Sequence, residues 1–391
     1  MSKHQFDTKV IHAGVQRGFQ ERKTGAVNPP IYQSSTFHQD QLNQFGPFDY
    51  SRSGNPTREL VEETIAVLEN GYKGFAFASG MAAISSAFLL LESGDHVVIT
   101  KDVYGGTFRF VSQLLTQFSV DHTFVDMTNI EEIEKAIQPN TKVIYIETPA
   151  NPLLQVTDIR AVVALAKANN ALTFLDNTFM TPLYQNPLDL GVDIVLHSAT
   201  KFLSGHSDII AGLAVTNDEE LAKKLQFAQN TFGAILGAHD SFTLLQGMKT
   251  LETRLEKSTK SATQIAEILA NHDAIEKVYY PGLASHKGHD IHFSQATSGG
   301  AVLSFLLDEK IDSNRFVEQL ELPVFAVSLG AVESILSHPA TMSHAAMPPH
   351  ERQARGIDDR LFRLSVGIEN VDDLIEDLQQ ALKQAALVKN A

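Results

Sequence analysis

The run LTFLDNTFMTPLYQNPLDLGVDIVLHSATKFLSGHSDIIAGLAV, residues 172–215, decides the fold. It contains three apolar segments of strand length, 172–176, 193–197 and 211–215. Strands that are apolar on both faces belong to a mostly parallel sheet covered by helices on both sides. Reactive side chains fall where the strands end. Asp176 closes the first segment, and Ser198-Ala199-Thr200-Lys201 follows the second. Open α/β sheets place their ligands at that edge.

The same texture extends upstream. Strand-like runs at 75–78, 96–100, 123–125 and 143–147 alternate with helical stretches at 59–69, 81–91, 108–117, 130–137, 159–168 and 218–229. The result is an α/β fold with a mostly parallel seven-stranded sheet flanked by helices. After Gln246 the pattern changes. A long helix is expected over 250–270, with Leu251, Leu255, Ile265 and Leu269 as its buried stripe. Strands follow at 278–280, 301–307, 324–328 and 361–366, and a helix runs from Val371 with Leu374, Ile375, Leu378 and Leu382 at helical spacing. The expected organisation is an N-terminal arm with a short helix (1–49), a large domain (50–248) and a smaller C-terminal α/β domain (249–391).

Composition narrows the function. The chain has 391 residues, 43% hydrophobic and 20% charged, enough for about two or three domains. Its net charge of −15 argues against generic binding to nucleic acid or anionic membrane. No cysteine is present, which removes disulfides, thiolate metal sites and a cysteine nucleophile. The uncharged run 74–91 is broken by Ser79-Gly80 and Ser85-Ser86, so strand, turn and helix describe it better than a membrane span. The first ten residues show no signal-peptide pattern, and a cytoplasmic location is the default expectation. His286, His289 and His292 recur every third residue, but in a polar loop without acidic partners they predict no metal site.

Four constellations carry chemistry. Lys201 after a strand can form a Schiff base with an aldehyde cofactor, and the Ser198 and Thr200 hydroxyls can hold its phosphate. Asp176 can pair with a pyridinium nitrogen, or simply cap the next segment. Ala78-Ser79-Gly80-Met81 reads as a strand turning into a helix, whose first N–H groups bind phosphate. Tyr104, ahead of Gly105-Gly106, can stack on a flat ring. Each has an ordinary structural explanation alone. Together they suggest pyridoxal 5'-phosphate.

With Thr8-Lys9-Val10-Ile11-His12-Ala13-Gly14, Tyr50-Ser51-Arg52-Ser53-Gly54-Asn55-Pro56-Thr57 and Arg363-Leu364-Ser365-Val366-Gly367-Ile368-Glu369 added, the chain resembles the Cys/Met-metabolism family of pyridoxal-phosphate enzymes nearly end to end. The resemblance implies a fold-type I PLP-transferase architecture. It implies that Lys201 is the Schiff-base lysine, that Asp176 partners the ring nitrogen, and that Tyr104 stacks on the ring and serves proton transfer. Gly80, Met81, Ser198 and Thr200 match the phosphate cradle. Tyr50 and Arg52 match residues that reach the phosphate from a neighbouring subunit, in a homotetramer built from two dimers. Arg363 matches the arginine that binds the substrate α-carboxylate, with Asn151 and Ser328 beside it. Glu147 and Arg109 fall in matching segments and are expected near the substrate.

The family members differ in chemistry. Methionine γ-lyases usually carry a cysteine where this chain has Gly106. Many γ-synthases and γ-lyases carry a glutamate where it has Val327, which cannot pair with the distal ammonium of cystathionine. Residues 333–344 look like the γ-branch. The resemblance therefore implies γ-elimination from cystathionine, giving cysteine, 2-oxobutanoate and ammonia, with side activity as a β-lyase and as a homocysteine or cysteine desulfhydrase. The alternatives are a cystathionine β-lyase, or a transferase of the γ-synthase or O-acylhomoserine sulfhydrylase type. A non-catalytic relative would be expected to lack the lysine, and Lys201 is present.

Overall fold

The computed structural model describes residues 4–14, 25–345 and 349–387. Seven strands form the larger sheet: β1 (Lys73–Phe77), β2 (His96–Thr100), β3 (Asp121–Val125), β4 (Thr141–Glu147), β5 (Leu172–Asp176), β6 (Ile194–Ser198) and β7 (Gly212–Thr216). Their order is β1-β7-β6-β5-β4-β2-β3. Only β7 is antiparallel to its neighbours; the other pairs are parallel. The period-two alternation of strand side chains divides the apolar residues between two cores. Phe174 and Leu196 face one core, under the helices Gly80–Phe88 and Glu219–Phe232. Leu175 and Val195 face the other, under the helices Pro56–Leu68, Ile159–Ala168 and Ala238–Met248. Both faces are thus apolar, which is why these strands carry no alternation.

The second sheet has the order β10-β11-β12-β9-β8, with β8 (Ile275–Tyr279), β9 (Val302–Leu307), β10 (Val324–Phe325), β11 (Ile335–Ser337) and β12 (Leu361–Ser365). The long helix Leu251–Ala270 buries Leu251 and Leu255 against the large sheet's core, and Ile265 and Leu269 against the small one. It therefore staples the two sheets together. Each fully buried leucine or isoleucine contributes about 1.5–3 kcal/mol. The C-terminal helix Val371–Gln384 closes the small core with Leu374, Leu378 and Leu382, while Ile375 is partly buried.

Three expectations fail locally. The segment 108–117 is not one regular helix. An α-turn (Gly105–Arg109) passes into a π-turn (Phe110–Leu114) and then a 3₁₀ turn (Leu115–Phe118). Ser112 Oγ donates to the Phe108 carbonyl at 2.6 Å and competes for it with the helical ladder. The histidine segment is not a polar loop: a helix, His289–Gln295, starts at Gly288. Its imidazoles are engaged with backbone carbonyls, His286 with Leu154, His289 with Pro281 and His292 with Ser298. The strand expected over 324–328 stops at Phe325, and three residues on Ser328 takes φ +90° and turns the chain. Among the described residues, no helix is long and apolar enough to cross a membrane.

Candidate active site

The C-terminal ends of β4, β5 and β6 open into a cavity of about 570 Å³. Gly80, Met81, Tyr104, Arg109, Glu147, Asn151, Asp176, Ser198, Thr200, Lys201, Val327, Ser328 and Arg363 all line it. The two sheets meet here: Arg363 stands on β12, and Ser328 on the turn after β10.

One end of the cavity is built for an anion. Ser79 caps the helix Gly80–Phe88, its Oγ accepting from Ala82 N–H at 3.0 Å. A β-carbon on Gly80 would stand only 3.0–3.1 Å from Ser198, and one on Gly212 only 2.0 Å from the Ser79 carbonyl. Glycine thus lets the helix start press against β6 and β7, where its free N–H groups and the Ser198 hydroxyl share one small space. Thr200 Oγ1 pairs with the Ala211 backbone and fixes the turn that carries Lys201.

The middle holds two carboxylates, the buried Glu147 and the partly buried Asp176, neither of which makes an ion pair among the described residues. Asp176 and Glu147 are register partners on β5 and β4. Burial pushes both upward, and the Asp176 charge raises Glu147 further. Thr178 donates its backbone N–H to Asp176 Oδ1 at 2.9 Å, and its Oγ1 accepts from Ser198 N–H at 2.8 Å. Thr178 thus couples the middle of the cavity to its anion end, a role that an Asp-x-Thr spacing could have disclosed. Glu147 Oε2 accepts from Tyr104 N–H at 3.0 Å and so fixes where the tyrosine starts its helix. The Tyr104 ring lies over Gly106, where a β-carbon would come within 2.5 Å of it; Tyr104 is still 47% exposed.

At the far end, Lys201 Nζ donates to Ser328 Oγ at 2.6 Å. Burial, helped by the charge of Arg363, lowers this lysine to about 8. Arg363 Nη1 donates to Asn151 Oδ1 and Nη2 to the Ser328 carbonyl, both at 2.7 Å. Its Nε is buried with no partner among the described residues. A buried unpaired guanidinium N–H is costly and suits an incoming carboxylate.

Tyr50 and Arg52 are not brought to this cavity. Arg52 Nη1 donates to the Asn230 carbonyl at 2.7 Å, its guanidinium sits 5.6 Å from the Tyr50 ring, and Tyr50 is 45% exposed.

The residues present fit pyridoxal phosphate. A glycine-pressed helix start with hydroxyls accepts a phosphate. Asp176, hydrogen-bonded by Thr178 but making no ion pair among the described residues, suits a cation such as a pyridinium. Lys201, held low, offers an amine to an aldehyde. Tyr104, packed on Gly106 and lining the cavity, can stack on a flat ring.

Comparisons with known proteins agree. A family model described as Cys/Met metabolism PLP-dependent enzyme matches residues 7–383. The chain is 61% identical over 390 residues to the cystathionine beta-lyase MetC of Bacillus subtilis, covering 99% of each. It is 49% identical over 378 residues to the cystathionine gamma-lyase of the same organism, covering 96% of this chain and 98% of that one. The crystal structure of cystathionine gamma-lyase from Lactobacillus plantarum complexed with L-serine superposes with a TM-score of 0.95 at 46% identity, covering 98% of this chain and 99% of the other. The chain belongs to the Cys/Met-metabolism family of pyridoxal-phosphate-dependent enzymes.

Proposed function

We propose that this protein is a cystathionine β-lyase, a carbon–sulfur lyase that breaks the Cβ–S bond and, with uptake of one water, releases homocysteine, pyruvate and ammonia. The observation that carries this reading is the 61% identity to a β-lyase along the whole chain, against 49% to a γ-lyase of the same bacterium. β-Elimination thus takes precedence over the γ-elimination expected from residues 333–344. Val327 fits this reading without deciding it: an apolar, 67% exposed wall offers no charge to the substrate's distal end. Homocysteine and cysteine are proposed as side substrates.

The geometry supports the following residue roles. Arg363 receives the substrate α-carboxylate with the Nε it keeps free, while Asn151 and the Ser328 carbonyl hold its other nitrogens in plane. Ser328 Oγ holds Lys201 Nζ beside that carboxylate, near the carbon to be deprotonated. A lysine at about 8 is partly neutral at physiological pH and can take the Cα proton. Gly80, Met81, Ser198 and Thr200 hold the phosphate, Asp176 the ring nitrogen, and Tyr104 covers the ring. Bound pyridoxal phosphate supplies an electron sink for the pair left when the Cα–H bond breaks. With that group bound, the Cα–Cβ double bond would form as the Cβ–S bond breaks. Sulfur departs with the bonding pair and collects a proton, for which Tyr104 and Lys201 are the available donors. Tyr50 and Arg52, exposed and turned from their own cavity, are proposed to complete the phosphate site of a neighbouring copy in a homotetramer.

The test is the keto acid released from cystathionine alone by the cofactor-loaded protein. Pyruvate with homocysteine is expected. Predominant 2-oxobutanoate would overturn the β-lyase reading in favour of a γ-lyase, and no keto acid would favour a transferase.

A further inference from the structure

We propose that Glu69, a buried carboxylate on the far face of the large sheet, is a positioning residue that ties together the two strand ends holding the cofactor. Glu69 ends the helix Pro56–Leu68 and is wholly buried. Its Oε1 takes two hydrogen bonds, 2.7 Å from His197 Nε2 and 2.9 Å from Asn177 Nδ2. Asn177 directly follows Asp176, and His197 directly precedes Ser198. Strand alternation points Asn177 and His197 to one face of the sheet and Asp176 and Ser198 to the other. One oxygen therefore fixes the spacing between the ring-nitrogen partner and the phosphate cradle from behind.

Two further features support this. The Asn177 side chain is locked by Gln185, which accepts at its carbonyl and donates from Nε2, and Asn177 N–H donates to the Leu196 carbonyl. His197 also acts on Asp176 electrostatically. Glu147 and Tyr145 on β4 face Asp176, and Tyr104, Arg109 and Lys201 line the same cavity; His197 on β6 points to the opposite face and from behind the sheet draws the carboxyl toward its ionised form against burial. The arrangement is not optimal for stability. Glu69 Oε2 and His197 Nδ1 are buried without a partner among the described residues. Apolar side chains of similar volume often stabilise such a site as well or better.

The inference rests on the roles proposed for Asp176 and Ser198, so Asp176→Asn is the reference. Holoproteins carrying Glu69→Gln, Glu69→Ala, His197→Gln and Asp176→Asn are loaded with pyridoxal phosphate labelled with ¹⁵N in the ring. The nitrogen's chemical shift is followed against pH, and the cofactor dissociation constant is read from absorbance. His197→Gln is expected to let the ring nitrogen lose its proton about one pH unit earlier, in the direction of Asp176→Asn. Glu69→Ala is expected to weaken cofactor binding about tenfold or more. If it does not fold, the isosteric Glu69→Gln gives both readouts, and Glu69→Asp should recover part of the affinity. Wild-type nitrogen titration and affinity in the Glu69 and His197 variants, with Asp176→Asn displaced, would overturn the inference and leave the site reading intact. A change confined to the unfolding midpoint overturns it equally. An unmoved Asp176→Asn brings down both.

Discussion

Gly330→Ala should damage this protein out of proportion to one methyl group. Gly330 has φ +82°, which costs an alanine about 1–2 kcal/mol. Its β-carbon would also stand 2.6 Å from Phe202 N, 3.0 Å from Lys201 C and 3.1 Å from Lys201 Cβ. The nearest two are backbone atoms of the turn that carries the proposed base, so no side chain can swing away. Overpacking of this kind adds about 1–3 kcal/mol. The expected loss is therefore about 2–5 kcal/mol. Gly94 supplies the control. It has φ +94°, but a β-carbon there meets nothing within 4 Å, so Gly94→Ala should cost only the backbone share. Urea unfolding of both apoproteins isolates the contact as their difference. The contact also predicts a change of function: relief of the clash must move Lys201 or Ser328, and their 2.6 Å hydrogen bond is broken or stretched. Turnover should then fall in the folded Gly330→Ala protein and stay normal in Gly94→Ala. Equal stabilities with equal rates would refute the claim that Gly330 holds the lysine turn.

Three further outcomes are expected. Lys201→Ala should abolish both turnover and the visible absorbance of lysine-linked cofactor; full activity in that variant would remove the proposed base. Val327→Glu, at a largely exposed position, should change stability by no more than about 0.5 kcal/mol. It should still shift kcat/KM toward cystathionine over homocysteine by about tenfold, the size of one charge-assisted hydrogen bond; an unchanged ratio would refute the role given to that wall. The Glu147 carboxyl is raised in the folded protein by burial and by Asp176. The folded state therefore keeps a proton that the unfolded chain releases near pH 4.5, and stability drains away as pH rises above that value toward the folded-state titration. Apoprotein carrying Glu147→Gln should lose less stability than wild type between pH 5 and pH 8 by urea unfolding; parallel curves would contradict the raised carboxyl.

The parts of this molecule legible in its sequence are those fixed by local rules. Apolar runs without alternation gave the parallel strands, since both sheet faces are covered. Asp176 and Lys201 were recognisable because chemistry gathers at strand ends, and their neighbours lie within a few residues. What binds Lys201 is not local. Its hydrogen-bond partner Ser328 lies 127 positions away, and Arg363 reaches Asn151 across 212. Only the resemblance to a family put those residues beside the lysine; no periodicity predicts the turn at Ser328 inside the expected strand. Glu69 was invisible for a related reason. It looks like an ordinary helix-terminal acid until the register of β5 and β6 puts Asn177 and His197 under it. Tyr50 and Arg52 mark the opposite limit: their motif was legible, yet one chain leaves them outside its own cavity. A site composed at the meeting of two sheets, and proposed to be completed by a second copy, can be read from sequence only as far as each contributing strand carries its own signal. The connections between strands, where Lys201 is held and tuned, have to be read in three dimensions.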